Sequence, residues 1–210
     1  MPDSFILSLV ADLKPVRRLN NRDPWLVMSA LCLAAIAAVA ATIGLRADLI
    51  AGHPSDIVLL RSGVMLALGA ASLAAVIAYA RPGVGQQADG WIWAAGVAAL
   101  FPAIAMLSAI EGQFPQWILT APSGALCMGI SLSIALVMGS ALTVWVRRGA
   151  STRPMLQGWL IGLSSGAFAT FSYSLHCEST TVTYAGFWYT GAILVSAGIG
   201  RLALPGLLRW

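Results

Sequence analysis

Residues 25–45 read WLVMSALCLAAIAAVAATIGL. No charged side chain occurs between Trp25 and Leu45, and an α-helix needs about 20 apolar residues to cross a bilayer core. The run also exceeds the roughly 7–15 apolar residues of a signal-peptide core. Ala38-Val39-Ala40, which resembles a cleavage site, is therefore read as part of a span. Similar runs follow at 59–80, 91–110, 123–146, 155–175 and 184–204. Of the 210 residues, 59% are apolar and only 10% charged, against roughly 25% charged in a soluble domain. The charges sit between the runs, where they cannot cover a water-facing surface. The expected fold is all-α: an integral membrane bundle of six transmembrane helices over 25–210, preceded by a short cytoplasmic segment, 1–24.

Basic residues orient such a bundle. With a cytoplasmic N-terminus, the inner segments hold Lys14, Arg17, Arg18, Arg22, Arg81, Arg147, Arg148, Arg153, Arg201 and Arg209, and the outer ones only Arg46 and Arg61. This is a strong positive-inside bias, and it puts both termini in the cytoplasm. The net charge of +4 is then an attraction to anionic lipid rather than to nucleic acid. All eight tryptophans fall near predicted span ends, as amphipathic rings do at a membrane interface. Arg61 and Glu111, at outer span ends, are expected to snorkel outward.

In front of the first span, Phe5, Ile6, Leu9, Val10 and Leu13 share one helical face, with Ser4, Ser8 and Asp12 on another. Pro15 cannot extend that helix. Such a segment lies on anionic lipid or docks in a partner's groove; composition alone favours lipid. Gly158, Gly162 and Gly166 recur every four residues on the fifth span, and Ser131, Ala135, Gly139 and Thr143 form a similar row on the fourth. Small residues at this spacing allow close helix approach, so the two rows are expected to pack together.

Cys127, near the outer start of the fourth span, and Cys177, just past the outer end of the fifth, are the cysteines at matching depth. Cys32 is expected across the midplane, toward the inner side. The pair reads either as small apolar filler or as a redox couple whose thiols could bridge. His176 favours reactivity by raising the thiolate fraction, and Glu178 opposes it. His53, His176, Cys127 and Cys177 share the outer side, so a metal site is conceivable, but paired ligand spacing is lacking. An ion-coupled transporter would need a mid-span carboxylate or lysine, and a thiol oxidoreductase a Cys-x-x-Cys or a second pair. Phosphate loops, catalytic triads and zinc motifs are missing as well. Neither an enzyme nor a cofactor is expected.

The stretches Arg147-Arg148-Gly149-Ala150-Ser151-Thr152-Arg153-Pro154, Tyr173-Ser174-Leu175-His176-Cys177, Phe187-Trp188-Tyr189 and Leu207-Leu208-Arg209-Trp210 resemble the NrsF family of bacterial six-span membrane anti-sigma factors. Ala11–Leu19, Leu45-Arg46-Ala47-Asp48-Leu49 and Ala80-Arg81-Pro82-Gly83 are similar too, so the resemblance spans nearly the whole chain. In that family His-Cys is usually followed by Pro-Glu; here Glu178 and Ser179 follow. The resemblance implies that Cys127 and Cys177, with His176 beside them, are the stress-sensing residues. It also implies that the N-terminal segment binds an extracytoplasmic-function sigma factor. Phe5, Ile6, Leu9, Val10, Leu13, Arg17 and Arg18 are its candidate contacts, and the location is the bacterial inner membrane.

Overall fold

The computed structural model describes residues 20–81, 89–111, 122–149, 151–177 and 181–208. The expected partner-binding residues Phe5, Ile6, Leu9, Val10, Leu13, Arg17 and Arg18 lie outside them, as does Glu178. The described residues are helical throughout, without strands: α1 (Arg22–Thr42), α2 (Ala47–Ile50), α3 (Asp56–Tyr79), α4 (Gly90–Ala98), α5 (Leu100–Ile110), α6 (Pro122–Val146), α7 (Pro154–Ser174), α8 (Val182–Tyr184), a π-helical turn (Ala185–Tyr189), α9 (Thr190–Ala203) and α10 (Pro205–Leu208).

The breaks have local causes. Pro102 has no N–H and its ring opposes the carbonyl of Ala98, so the stretch expected as one helix over 91–110 divides at Ala99. Gly44, at φ +91°, takes the chain out of α1 while its N–H still reaches the Val39 carbonyl at 3.1 Å; a side chain would strain this backbone. Pro154 opens α7 at a position where a missing N–H costs nothing.

Among the described residues five helical stretches are long and apolar enough to cross a membrane: Arg22–Thr42, Asp56–Tyr79, Gly90–Ile110, Ser123–Val146 and Val182–Ala203. The stretch over α7 is not in that group. Rich in glycine, serine and threonine, it is the axis of the bundle, packed by α1, α3, α6 and α9 together. A helix walled by other helices presents little of its own surface outward, so its side chains need not be uniformly apolar. The exterior has the opposite character, with Leu26, Leu33, Leu60, Leu100, Leu136 and Leu202 all more than half exposed.

Polar side chains lace the interior. α3 is tied to α7 by Gln157 Nε2 to the Val76 carbonyl (2.9 Å), Ser164 Oγ to the Gly69 carbonyl (3.1 Å) and the Ser62–Ser174 hydroxyl pair (3.1 Å). The glycine row of α7 does not serve α6, as expected from sequence. A Cβ at Gly158 would meet the Gly200 carbonyl, one at Gly162 the Ser196 carbonyl, and one at Gly166 Ser196 and Ile193. All three therefore seat α9. The α6 row still faces α7, at Gly139 against Ser165 and Ile161, but it meets serine and isoleucine rather than glycine. Trp145, expected at an interface, is buried in the core.

Candidate functional site: a ringed thiol pair

α6 carries Cys127 in its second turn, and Cys177 follows two residues of turn after α7. Both belong to one packed cluster. Their thiols are not joined in a disulfide and face each other within hydrogen-bonding reach, with Ser131 close to Cys127 from one turn further along α6. Cys127 is fully buried and Cys177 half-buried. Two unbridged thiols in mutual contact can do two things: lose two protons and two electrons and join, or lose protons and share a thiophilic ion.

The surroundings are aromatic and cationic. Tyr173, Tyr184 and Tyr189 are buried in the same cluster. Tyr184 and Tyr189 meet edge to face at 6.2 Å between ring centroids. Five residues apart, they would diverge on an α-helix; the i→i+5 bonding of a π turn stacks them on one side. Gly186 lets that turn lie against the Phe101 carbonyl of α5. The hydroxyls of Ser131, Tyr184 and Tyr189 are buried here too, Ser131 beside Cys127, Tyr189 beside Cys177 and Tyr184 beside Ser123.

Arg61 is not at an interface. It is 1% exposed, its Nη2 donates to the Ser174 carbonyl at 3.0 Å, and its guanidinium lies 5.0 Å from the Tyr189 ring centroid. The snorkelling expected of it therefore does not occur; the end of α7 supplies a carbonyl and the π turn a ring face, which together hold the cation inward. Glu111 is exposed.

A second arginine holds the cysteine turn from outside the helices. Arg46 donates through Nη1 to the Cys177 carbonyl (2.6 Å), and its backbone N–H to the Leu175 carbonyl (3.3 Å). Both oxygens of Asp48 grip its fork, from Nε and Nη2, at 2.8 Å. The hydrogen bonds from Arg46 and its charge keep the Asp48 carboxyl down at about 2, against a smaller desolvation effect. The same carboxylate raises Arg46 further above its already high value.

His176 Nδ1 lies 2.7 Å from the Gly44 carbonyl, so it donates there, and its ring meets Tyr173 edge-on. Its ring thus serves the connector after α1. Cys32 Sγ is 3.4 Å from Ser172 Oγ, in the last turn of α7. It therefore lies beside the Cys177 end of that helix. Among the described residues no three His, Cys, Asp or Glu side chains gather to hold a metal ion, and His53 is exposed. Sequence reasoning passed over the tyrosines and Asp48. Tyrosine inside an apolar run, and arginine two residues from aspartate after a glycine, were the available signals.

The fold and this centre define a class: an α-helical bundle with an apolar exterior that brings two cysteines together near the end of its central helix, beside two arginines. The chain belongs to the NrsF family; the family model described as "Negative regulator of sigma F" matches residues 9–210. It is 37% identical over 147 residues to the anti-sigma-F factor NrsF of Caulobacter vibrioides (strain NA1000 / CB15N), covering 68% of each chain. It is 32% identical over 152 residues to the probable anti-sigma-F factor NrsF of Azospira oryzae (strain ATCC BAA-33 / DSM 13638 / PS), covering 70% of each. No solved structure matches the chain.

Proposed function

We propose that this protein is an inner-membrane anti-sigma factor. It holds an extracytoplasmic-function sigma factor at the cytoplasmic face and releases it when the Cys127–Cys177 pair is oxidised or captures a heavy-metal ion. The observation that carries the sensing half is the mutual contact of two thiols not joined in a disulfide, Cys127 on α6 and Cys177 just past the end of α7. The family and the names of the relatives support the sigma-factor half. The apolar exterior and the basic bias of one set of loops support the membrane and its orientation.

In the oxidative branch hydrogen peroxide takes two protons and two electrons from the thiols. One S–S bond forms, the O–O bond breaks, and two waters leave. In the metal branch both thiols lose their protons to solvent as the ion binds. Either event changes how α6 meets the end of α7. The partner is released only if the two packings bind it differently, and a shift from mostly bound to mostly free needs about 5 kcal/mol of differential affinity. Phe5, Ile6, Leu9, Val10 and Leu13 would supply the apolar contact, with Arg17 and Arg18 beside it.

Two measurements test this. The sigma factor is co-purified with wild type and with the double variant Phe5→Asp, Leu9→Asp; loss of retention is expected, and full retention would remove the N-terminal segment from the mechanism. Cys127→Ser and Cys177→Ser, each introduced singly, are expected to abolish a sigma-dependent reporter's response to oxidant or cadmium. A normal response in both would eliminate the sensor.

A further inference from the structure

The connector between α1 and α3 is fastened to one short stretch of chain. Gly44 accepts from His176 Nδ1 (2.7 Å), the Arg46 N–H donates to the Leu175 carbonyl (3.3 Å), and Arg46 Nη1 to the Cys177 carbonyl (2.6 Å). All three bonds fall on Leu175–Cys177. Arg46 is 8% exposed and its fork is aligned by both Asp48 oxygens, a bidentate geometry that fixes direction as well as charge. Asp48 is itself anchored, accepting from the Leu49 N–H at 3.0 Å.

We infer that Arg46, set by Asp48, is a positioning residue for Cys177 and the element that couples the state of the thiol pair to α1. This rests on the reading of the pair as the sensor. Unbonded sulfurs in contact stand well beyond the roughly 2.05 Å of a disulfide, so joining them draws the two residues together. Cys127 sits within a 25-residue helix packed along α7 and moves only with it. Cys177 lies past the end of its helix and is the partner free to shift. Its carbonyl is attached to Arg46, so the shift either breaks that bond or drags the connector. Gly44 stands directly after the α1 cap residue Ile43, and residues 1–19 directly precede that helix's N-terminal end. Cys32 against Ser172, at 3.4 Å, is a further join along the same α1–α7 seam.

Coupling is reciprocal: if oxidation disengages the clamp, removing the clamp favours oxidation by the same factor. The test uses the purified full-length protein in detergent micelles, equilibrated in thiol–disulfide buffers, with the bridged fraction read by mass after alkylation. Arg46→Ala is expected to shift the equilibrium toward the disulfide about tenfold, roughly 30 mV for a two-electron couple. Arg46→Lys, which keeps the charge and loses the fork, should fall between. Asp48→Asn leaves Arg46 in place with a loosened grip and carries the same expectation at smaller size, should the alanine variant not fold. Diamide, whose N=N bond takes up the two thiol hydrogens as the disulfide forms, should speed hydrogen exchange at the Arg46 amide at least fivefold in wild type. Amides of Gly158–Gly166 should not change. An unmoved equilibrium in Arg46→Ala and Asp48→Asn, or a wild-type disulfide that leaves the Arg46 amide unaltered, overturns the inference while the sensor reading stands. Absence of any Cys127–Cys177 disulfide in wild type would overturn the inference together with the oxidative branch of the sensor reading.

Discussion

Gly162→Ala probes the α7–α9 seam on which the bundle depends. The added Cβ would run into the Ser196 carbonyl and the Ala197 Cα, both backbone atoms that no rotamer change can clear. The helices must separate, and the Ser196 Oγ bond to the Gly162 carbonyl, 2.9 Å long, stretches with them. Overpacking of this kind costs about 1–3 kcal/mol, the upper end applying where backbone meets backbone. An interhelical hydrogen bond in a membrane protein adds roughly 0.6 kcal/mol. Against this, alanine gains up to about 1 kcal/mol over glycine in helix propensity. The net loss is then about 2–3 kcal/mol. Gly129→Ala and Gly198→Ala supply the control, since a Cβ at either position meets nothing within 4 Å; these variants should be neutral or slightly stabilised. Reversible unfolding in mixed micelles, followed by circular dichroism, measures all three. Equal stability of Gly162→Ala and Gly129→Ala would refute the close-approach argument.

Arg61→Met leaves the Ser174 carbonyl without its donor and removes the guanidinium from the Tyr189 ring; a loss of about 2 kcal/mol is expected, and unchanged thermal unfolding would contradict it. Gln157→Met should be mild, within about 1 kcal/mol either way. The Val76 carbonyl keeps its bond from the Ala80 N–H at 3.0 Å, and the glutamine Oε1 has no partner to lose; a severe loss of stability would show that the amide does more than this. Asp48, with its carboxyl pulled down to about 2 from 3.8, contributes stability that is complete above about pH 4 and disappears as pH falls through 2. Its carboxylate resonance should therefore not titrate between pH 7 and pH 4; a midpoint near 4 would mean the Arg46 pair does not persist in solution.

How much of this was legible beforehand differs by residue. The long helices were, because length and apolarity of a run need no partner to be recognised. Cys127 and Cys177 could be matched in depth by counting rise along helices, but their lateral contact could not. Arg61 carried no signal for its direction: the same residue at a span end faces out or in according to the rotation of α3. That rotation is set by Ser62, Ser164 and Gln157 bonding across to or from α7. The contact of Cys32 with Ser172, in the last turn of α7, could not be read from a count along the chain. Tyr184 and Tyr189 meet because the chain makes a π turn there, which the spacing of the residues does not signal.

Apolar runs of bilayer length, broken by proline and glycine, determined from the sequence alone that this chain is a set of long helices. A glycine row likewise guarantees that some backbone comes close. Which helix arrives there, which way a buried arginine points, and whether two thiols touch were decided only in the assembled bundle. Those outcomes depend on the relative rotation and offset of helices, which arise from many weak contacts distant in sequence.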